Sequence, residues 1–375
     1  MCNGSIMDKL VTFAFPLMLT SILQLMFNAV DIIVVGRFSG SQALAAVGST
    51  SALINIFTNL FIGISLGANV LAARYYAAGK DREMSEAVHT AITLALISGI
   101  VMAFVGVAAS RLALSLMGTP DDVIDQSVLY MKIYFMGMPF FMLYNYGASI
   151  LRAVGDTRRP LYFLIAAGLT NVVLDLLLVI VIPLDVAGVA IGTVASQMIS
   201  CILVIRCLHQ SDGSYQLRFS RLTVKKEHLV RILQVGIPAG IQSTVINFSN
   251  ALLQSSVNSF GSTAMAGYTA ANNIIGFLYS AVNAVTQACM SFTSQNYSVG
   301  KQKRMDRVLL DCIILTVSVS ALMGIGAYVF GGQLLQIYTA EPEVIQCGLE
   351  VLSITTVPYF LCGIMDLFPG ALRGM

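Results

Sequence analysis

Residues 38–73 read FSGSQALAAVGSTSALINIFTNLFIGISLGANVLAA, 36 residues without one Asp, Glu, Lys or Arg. About 20 apolar residues at 1.5 Å each cross the core of a bilayer, so this stretch holds a whole membrane span. Its apolar positions do not alternate with polar ones, which excludes a membrane β-barrel. Charge-free stretches also cover 232–300 and 312–340. Cut at Gly, Pro and charged clusters, the chain predicts ten membrane helices, over 10–36, 42–73, 88–110, 127–150, 160–182, 186–206, 229–259, 264–295, 308–331 and 344–372. The composition agrees. Of 375 residues, 57% are hydrophobic and 11% charged, against about 25% charged in soluble domains. An ordinary soluble enzyme could not keep so much apolar surface dry. With 21 basic against 19 acidic residues there is no basic excess for nucleic acid. The seven cysteines form no C-x-x-C pair and read as small apolar fillers, without redox or zinc roles. The fold class is an all-α polytopic membrane protein.

The basic residues orient the chain. With a cytoplasmic N-terminus, the outer segments hold only Arg37 and Arg111 of the 21, with Lys132 near the outer end of the fourth span. That is a strong positive-inside bias. Residues 210–228 are polar and basic, a cytoplasmic linker between an N-lobe over 1–209 (spans one to six) and a C-lobe over 229–375 (spans seven to ten).

The lobes repeat each other at an offset of 221. Gly40 and Ala43 recur as Gly261 and Ala264; Tyr76, Gly79-Lys80 and Met84 recur as Tyr297, Gly300-Lys301 and Met305; Leu151-Arg152 recurs as Leu372-Arg373. Several polar and glycine matches in one register indicate a true repeat. Six spans per unit put both units in the same orientation, a parallel repeat as in many secondary transporters. The second unit ends two residues past Arg373, so two spans are expected to be missing, leaving six plus four.

Asp31, Asp175 and Asp366 lie inside predicted spans, where a carboxyl usually faces an aqueous cavity or a partner. Gln24, Asn28 and Asp31 fall on one face of span one; Asn171 and Asp175 are i and i+4 on span five; Thr193 and Gln197 repeat that spacing on span six; Asn55 and Asn59 do so on span two. Such stripes cannot face lipid and are expected to converge. Asp31 and Asp175 lie roughly 28 and 22 Å up their helices, near enough in depth to share one chamber, where a carboxyl can take a proton from one side and release it to the other. The alternative reading is a hydrogen-bonded clamp between helices. In the second half the stripes are uncharged: Ser243, Asn247, Asn250 and Gln254 on span seven, Tyr279, Asn283 and Gln287 on span eight. They suit a substrate cavity or interhelical packing equally. The 18 methionines suit promiscuous apolar cargo. Pro16, Pro139, Pro238 and Pro358 fall inside spans and permit bending.

The segments Phe27-Asn28-Ala29-Val30-Asp31, Val35-Gly36-Arg37, Ala43-Leu44-Ala45-Ala46-Val47-Gly48, Leu151-Arg152-Ala153-Val154-Gly155-Asp156-Thr157, Asn171-Val172-Val173-Leu174-Asp175 and Ala371-Leu372-Arg373-Gly374 resemble the multidrug and toxic compound extrusion (MATE) transporters along the whole chain. The resemblance implies two six-helix lobes and export of cationic or amphipathic small molecules by alternating access, against inward H+ or Na+. It implies a cation site at Asp31, Asn171 and Asp175, with Thr193 and Asn28 beside them, and Na+ as the other candidate ion at Asp31 and Asp175. Gln24, Asn55, Gln197, Asn247, Tyr279 and Asn283 are the candidate cavity residues. Span seven carries no acid, which favours H+ over a second-lobe Na+ site. No cofactor is implied. The expected partners are drug-like cations and the lipid bilayer, and the expected state is a monomer in a bacterial inner (plasma) membrane. A flippase for lipid-linked sugars is the alternative, disfavoured because no Lys or Arg stands mid-span. Gly63-Ile64-Ser65-Leu66-Gly67 fits G-x-S-x-G, but the three histidines lie at or in the loops, away from Ser65, so no hydrolase is expected.

Overall fold

The computed structural model describes every residue except 259, 339 and 340, and only the backbone at 41, 44, 52, 251, 254, 255, 258 and 262. The helices in chain order are α1 (Ile6–Phe38), α2 (Gly40–Ala77), α3 (Asp81–Leu116), α4 (Asp121–Met136), α5 (Met138–Ala153), α6 (Arg158–Leu176), α7 (Asp185–Gln210), α8 (Lys226–Asn258), α9 (Ser262–Ser298), α10 (Gln302–Val329), α11 (Gly331–Gln336), α12 (Pro342–Thr356) and α13 (Tyr359–Gly374). A π-turn over Leu177–Val181 follows α6. No strand occurs among the described residues. Eight helices are long and apolar enough to cross a membrane, and the pairs α4–α5 and α12–α13 each make a further span if bends of 46° and 50° are allowed.

Several helices outrun their predicted limits. The third span was expected over 88–110, yet α3 starts at Asp81. Asp81 and Glu83 lie in its first turn, where carboxylates complement the helix dipole, so the helix continues past the apolar core. The fourth span was expected unbroken over 127–150. It bends at Gly137, two residues before Pro139, whose missing N–H removes one rung of the ladder. The tenth bends at Pro358, the position that Gly137 occupies 221 residues earlier. Pro16 and Pro238, by contrast, sit inside continuous helices.

The turns repeat with the sequence. Gly40 and Gly261 have φ of +88° and +97°, and Gly79 and Gly300 have +65° and +69°. After α2, the Gly79 N–H donates to the Tyr76 carbonyl and Lys80 N–H to the Tyr75 carbonyl; after α9, Gly300 and Lys301 donate to Tyr297 and Asn296. Each donor and acceptor is displaced by the repeat offset.

The chain forms two compact units, one of residues 1–22 with 245–375, the other of 23–244. The contacts divide inside α1 and α8. In the first unit Leu10, Phe13 and Leu17 share a core with Ala284, Phe292 and Leu367, and Phe13 meets Phe292 edge to face at 5.7 Å. In the second unit Val34 and Val35 pack into a core with residues of α2 to α7. There, too, α2 meets the first part of α8 glycine to glycine. A Cβ at Gly63 would fall on the Gly240 backbone, one at Gly67 on the Ile232 carbonyl, and one at Gly236 on Ile64. Such small-xxx-small pairs let helices approach closely.

The linker is tied to α3. His89 is buried, with Nδ1 2.6 Å from the Ser85 carbonyl. That contact puts the proton on Nδ1 and leaves Nε2 to accept the Arg218 N–H at 3.1 Å. The Lys225 N–H donates to Thr90 Oγ1 at 3.2 Å.

Candidate functional site

In the second unit two helices, α1 and α6, bring Asp31, Asn171 and Asp175 together. Their register follows from one contact. Gly168 on α6 leaves a gap in which the Phe27 ring sits, so a Cβ there would fall inside the ring. Asp31 lies four residues beyond Phe27, and Asn171 and Asp175 lie three and seven beyond Gly168. The first and fifth spans run in the same direction, so Asp31 stands roughly 6 Å past the contact, between Asn171 at about 4.5 Å and Asp175 at about 10.5 Å.

The side chains meet accordingly. Asn171 Nδ2 lies 3.4 Å from each carboxylate oxygen of Asp175. The Asp31 carboxyl lies beside both Asp175 and Asn171. Asp175 is fully buried, and Asp31 is 9% exposed. Asp31 Oδ1 is buried without a hydrogen-bond partner. No Lys or Arg among the described residues pairs with either acid. The helix facing Asp175 is α7, at Gly192, where a Cβ would fall on Asp175 Oδ1. Only a residue without a side chain lets α6 and α7 pack with the carboxyl between them.

The other expected members are placed differently. Thr193, next to Gly192, is half-buried, and its hydroxyl donates to the Val189 carbonyl of its own helix at 2.9 Å. Gln24, Asn28 and Asn55 are exposed, and Gln197 is half-buried beside Tyr134. Asn59 donates to the Asn55 carbonyl at 2.7 Å. In the first unit, Asn283 accepts from Gln287 at 3.4 Å one turn on; Asn247 is half-buried and Tyr279 exposed. Asp366 lies near Tyr279 and Arg373.

Two tyrosines complete the acid pocket and were not singled out in the sequence. Tyr130 and Tyr134, i and i+4 on α4, stack with ring centroids 6.2 Å apart. Tyr130 lies close to both Asp31 and Asp175, and Tyr134 to Asp31. Their i, i+4 spacing was the available signal. Asp311 was missed as well: it is buried on α10 and paired with Arg307 one turn earlier at 3.0 Å.

The G-x-S-x-G stretch is a packing motif. It lies within α2, its glycines face α8, and buried Ser65 donates to the Ile62 carbonyl at 2.7 Å. A nucleophile elbow needs a strand-to-helix turn, which a continuous helix lacks.

The family model MatE matches residues 16–177 and 238–375. YoeA of Bacillus subtilis strain 168, described as a probable multidrug resistance protein, is 29% identical over 98% of this chain and 81% of its own length. YpnP of the same organism, described in the same words, is 28% identical over 99% of this chain and 83% of its own. A solved outward-facing multidrug resistance MATE transporter superposes with a TM-score of 0.92, covering all of this chain and 84% of that one, at 21% identity.

Proposed function

Because this chain belongs to the MatE family of membrane transporters, which are not enzymes, we propose that it exports cationic or amphipathic drug-like molecules by alternating access, driven by protons returning through Asp31, Asn171 and Asp175. The observation that carries this reading is two neighbouring carboxyls, buried, without a cation to neutralise them. Two such groups repel if both are ionised, so the site favours holding a proton between them. Asn171 supports the pair from one side, and Gly192 keeps the Asp175 carboxyl against α7. A proton bound here from the outside favours release of cargo; the loaded site then opens inward, loses its proton and readmits substrate. The chain serves as ten spans in two parallel-repeat lobes, 1–209 and 229–375, joined by the linker 210–228, with the basic loops and the N-terminus in the cytoplasm of a bacterial inner membrane. The protein acts as a monomer. Thr193 and Asn28 belong with the coupling residues, and Gln24, Asn55 and Gln197 in the one unit and Asn247, Tyr279 and Asn283 in the other are the residues that meet cargo.

Na+ is the second reading. Asp31 Oδ1 is buried without a partner, and the two carboxylates and the Asn171 carbonyl are hard oxygen donors of the kind a small cation takes. One experiment separates the two. Proteoliposomes with a preset pH gradient and no Na+ receive ethidium, with the native chain and with Asp175→Asn. Collapse of the gradient that disappears in the variant supports proton coupling here. Collapse unchanged in the variant removes the site. Ethidium flux that needs added Na+ and leaves the pH gradient intact assigns the ion to Na+.

A further inference from the structure

A cavity of about 520 Å³ opens between the start of α6, the end of α7 and the linker. Arg159, Arg206 and Gln210 form its polar rim, Tyr215 closes it from the linker, and Phe163 and Leu203 form its deeper wall. We propose that this cavity binds the phosphate headgroup of an anionic membrane lipid, with an acyl chain along Phe163 and Leu203.

Polarity changes with depth along the cavity wall. Phe163 lies four residues into the span from Arg159, and Leu203 three residues into the span from Arg206. The wall thus changes from cationic to apolar over one helical turn on both helices, about 5.4 Å. Tyr162 and Ile202, at the same height, are 61% and 54% exposed. A soluble phosphate would use the rim and leave the apolar wall wet, whereas a phospholipid fills both. Arg159 shares its charge with Asp156, Nε to Oδ2 3.2 Å, and donates Nη1 to Cys207 Sγ at 3.5 Å. Asp212 also lines the rim. Arg206 is exposed and makes no ion pair among the described residues, so it is the cation available to a headgroup. The basic loops assign this end of the helices to the cytoplasmic face, and basic pockets between spans on that face suit anionic headgroups.

Cys207 lines the cavity and reports its occupancy. Cys201, Cys289 and Cys312 are buried, and Cys2, Cys347 and Cys362 are replaced by serine in the full chain. The rate of N-ethylmaleimide labelling at Cys207 is then measured in nanodiscs of phosphatidylcholine, of phosphatidylcholine with phosphatidylglycerol, and of phosphatidylcholine with 20 mM inorganic phosphate. Phosphatidylglycerol is expected to slow labelling at least fivefold, and inorganic phosphate to leave it unchanged. The protection is expected to vanish in Arg159→Gln/Arg206→Gln and to survive in Arg218→Gln/Arg221→Gln, whose arginines lie outside the cavity. Equal protection by inorganic phosphate would overturn the lipid in favour of a soluble anion. Equal rates in all three nanodiscs, or protection that survives loss of both rim arginines, would overturn the site. If the double variant does not fold, the lipid series on the native arginines decides alone.

Discussion

Replacing Gly192 by alanine places a single methyl group where Asp175 Oδ1 now lies. The carboxyl must then rotate away or α6 and α7 must part. Rotation forfeits the two 3.4 Å contacts to Asn171 and the approach to Asp31. At about 0.6–1 kcal/mol for each polar contact between membrane helices, the loss is on the order of 2 kcal/mol. Alanine returns about 1 kcal/mol of helix propensity relative to glycine, so net destabilisation is on the order of 1 kcal/mol and the protein still folds. The coupling site suffers the whole 2 kcal/mol. At tenfold for every 1.4 kcal/mol, ethidium-triggered proton flux in proteoliposomes should fall about thirtyfold, while the unfolding temperature moves by only a few degrees. Gly276→Ala is the control, because a Cβ there meets no atom within 4 Å; its flux should be unchanged. A Gly192→Ala variant that folds and keeps flux within twofold of the native chain would refute the claim that the seating of Asp175 governs coupling.

Four further outcomes are expected. Asp31→Asn, nearly the same shape, should abolish proton flux and shift the unfolding temperature by only a few degrees, both measured on one preparation. Gly240→Ala sets a Cβ 2.5 Å from the Leu60 carbonyl oxygen, an overpacking cost of about 1–3 kcal/mol, visible as a lower unfolding temperature and a smaller monodisperse fraction in size-exclusion chromatography. Gly79→Ala and Gly300→Ala should each cost about 1–2 kcal/mol from positive φ, and matched losses in thermal unfolding would confirm that the two turns are equivalent. Tyr75→Phe removes hydroxyl contacts of 2.9 Å to Arg231 and 3.2 Å to His228, about 1 kcal/mol, and should loosen the linker in hydrogen exchange.

Much of this molecule is legible in its sequence, for physical reasons that also mark where legibility stops. Membrane helices must bury every backbone polar group internally, so long charge-free runs reveal them. Asn171 and Asp175 declare themselves by i, i+4 spacing in an apolar helix. Gly192 does not, because a glycine's meaning lies in the atom opposite it, here an oxygen seventeen residues away. Tyr130 and Tyr134 sit among other aromatics and look like packing until the acids are placed beside them. Asp311 looks like a helix-end charge because Arg307 precedes it; only burial shows that its carboxyl lies within the packed unit while Arg307 stays exposed. The division of α1 and α8 between two units was hidden because helical periodicity shows that a face is apolar, and not which neighbour covers each half of it.

The paired glycine turns bear on how the two copies have aged. Gly40 with Gly261, and Gly79 with Gly300, keep the same left-handed backbone 221 residues apart, while the position matching Asp31 at that offset is Leu252. A turn held at positive φ costs any other residue about 1–2 kcal/mol, so it drifts slowly, whereas the residue at 31 or 252 can be exchanged without touching the turn. The matched turns thus keep one kind of backbone on unlike walls, with the acid at position 31 and leucine at 252, so the chemistry of the walls can change while the turns stay as they are.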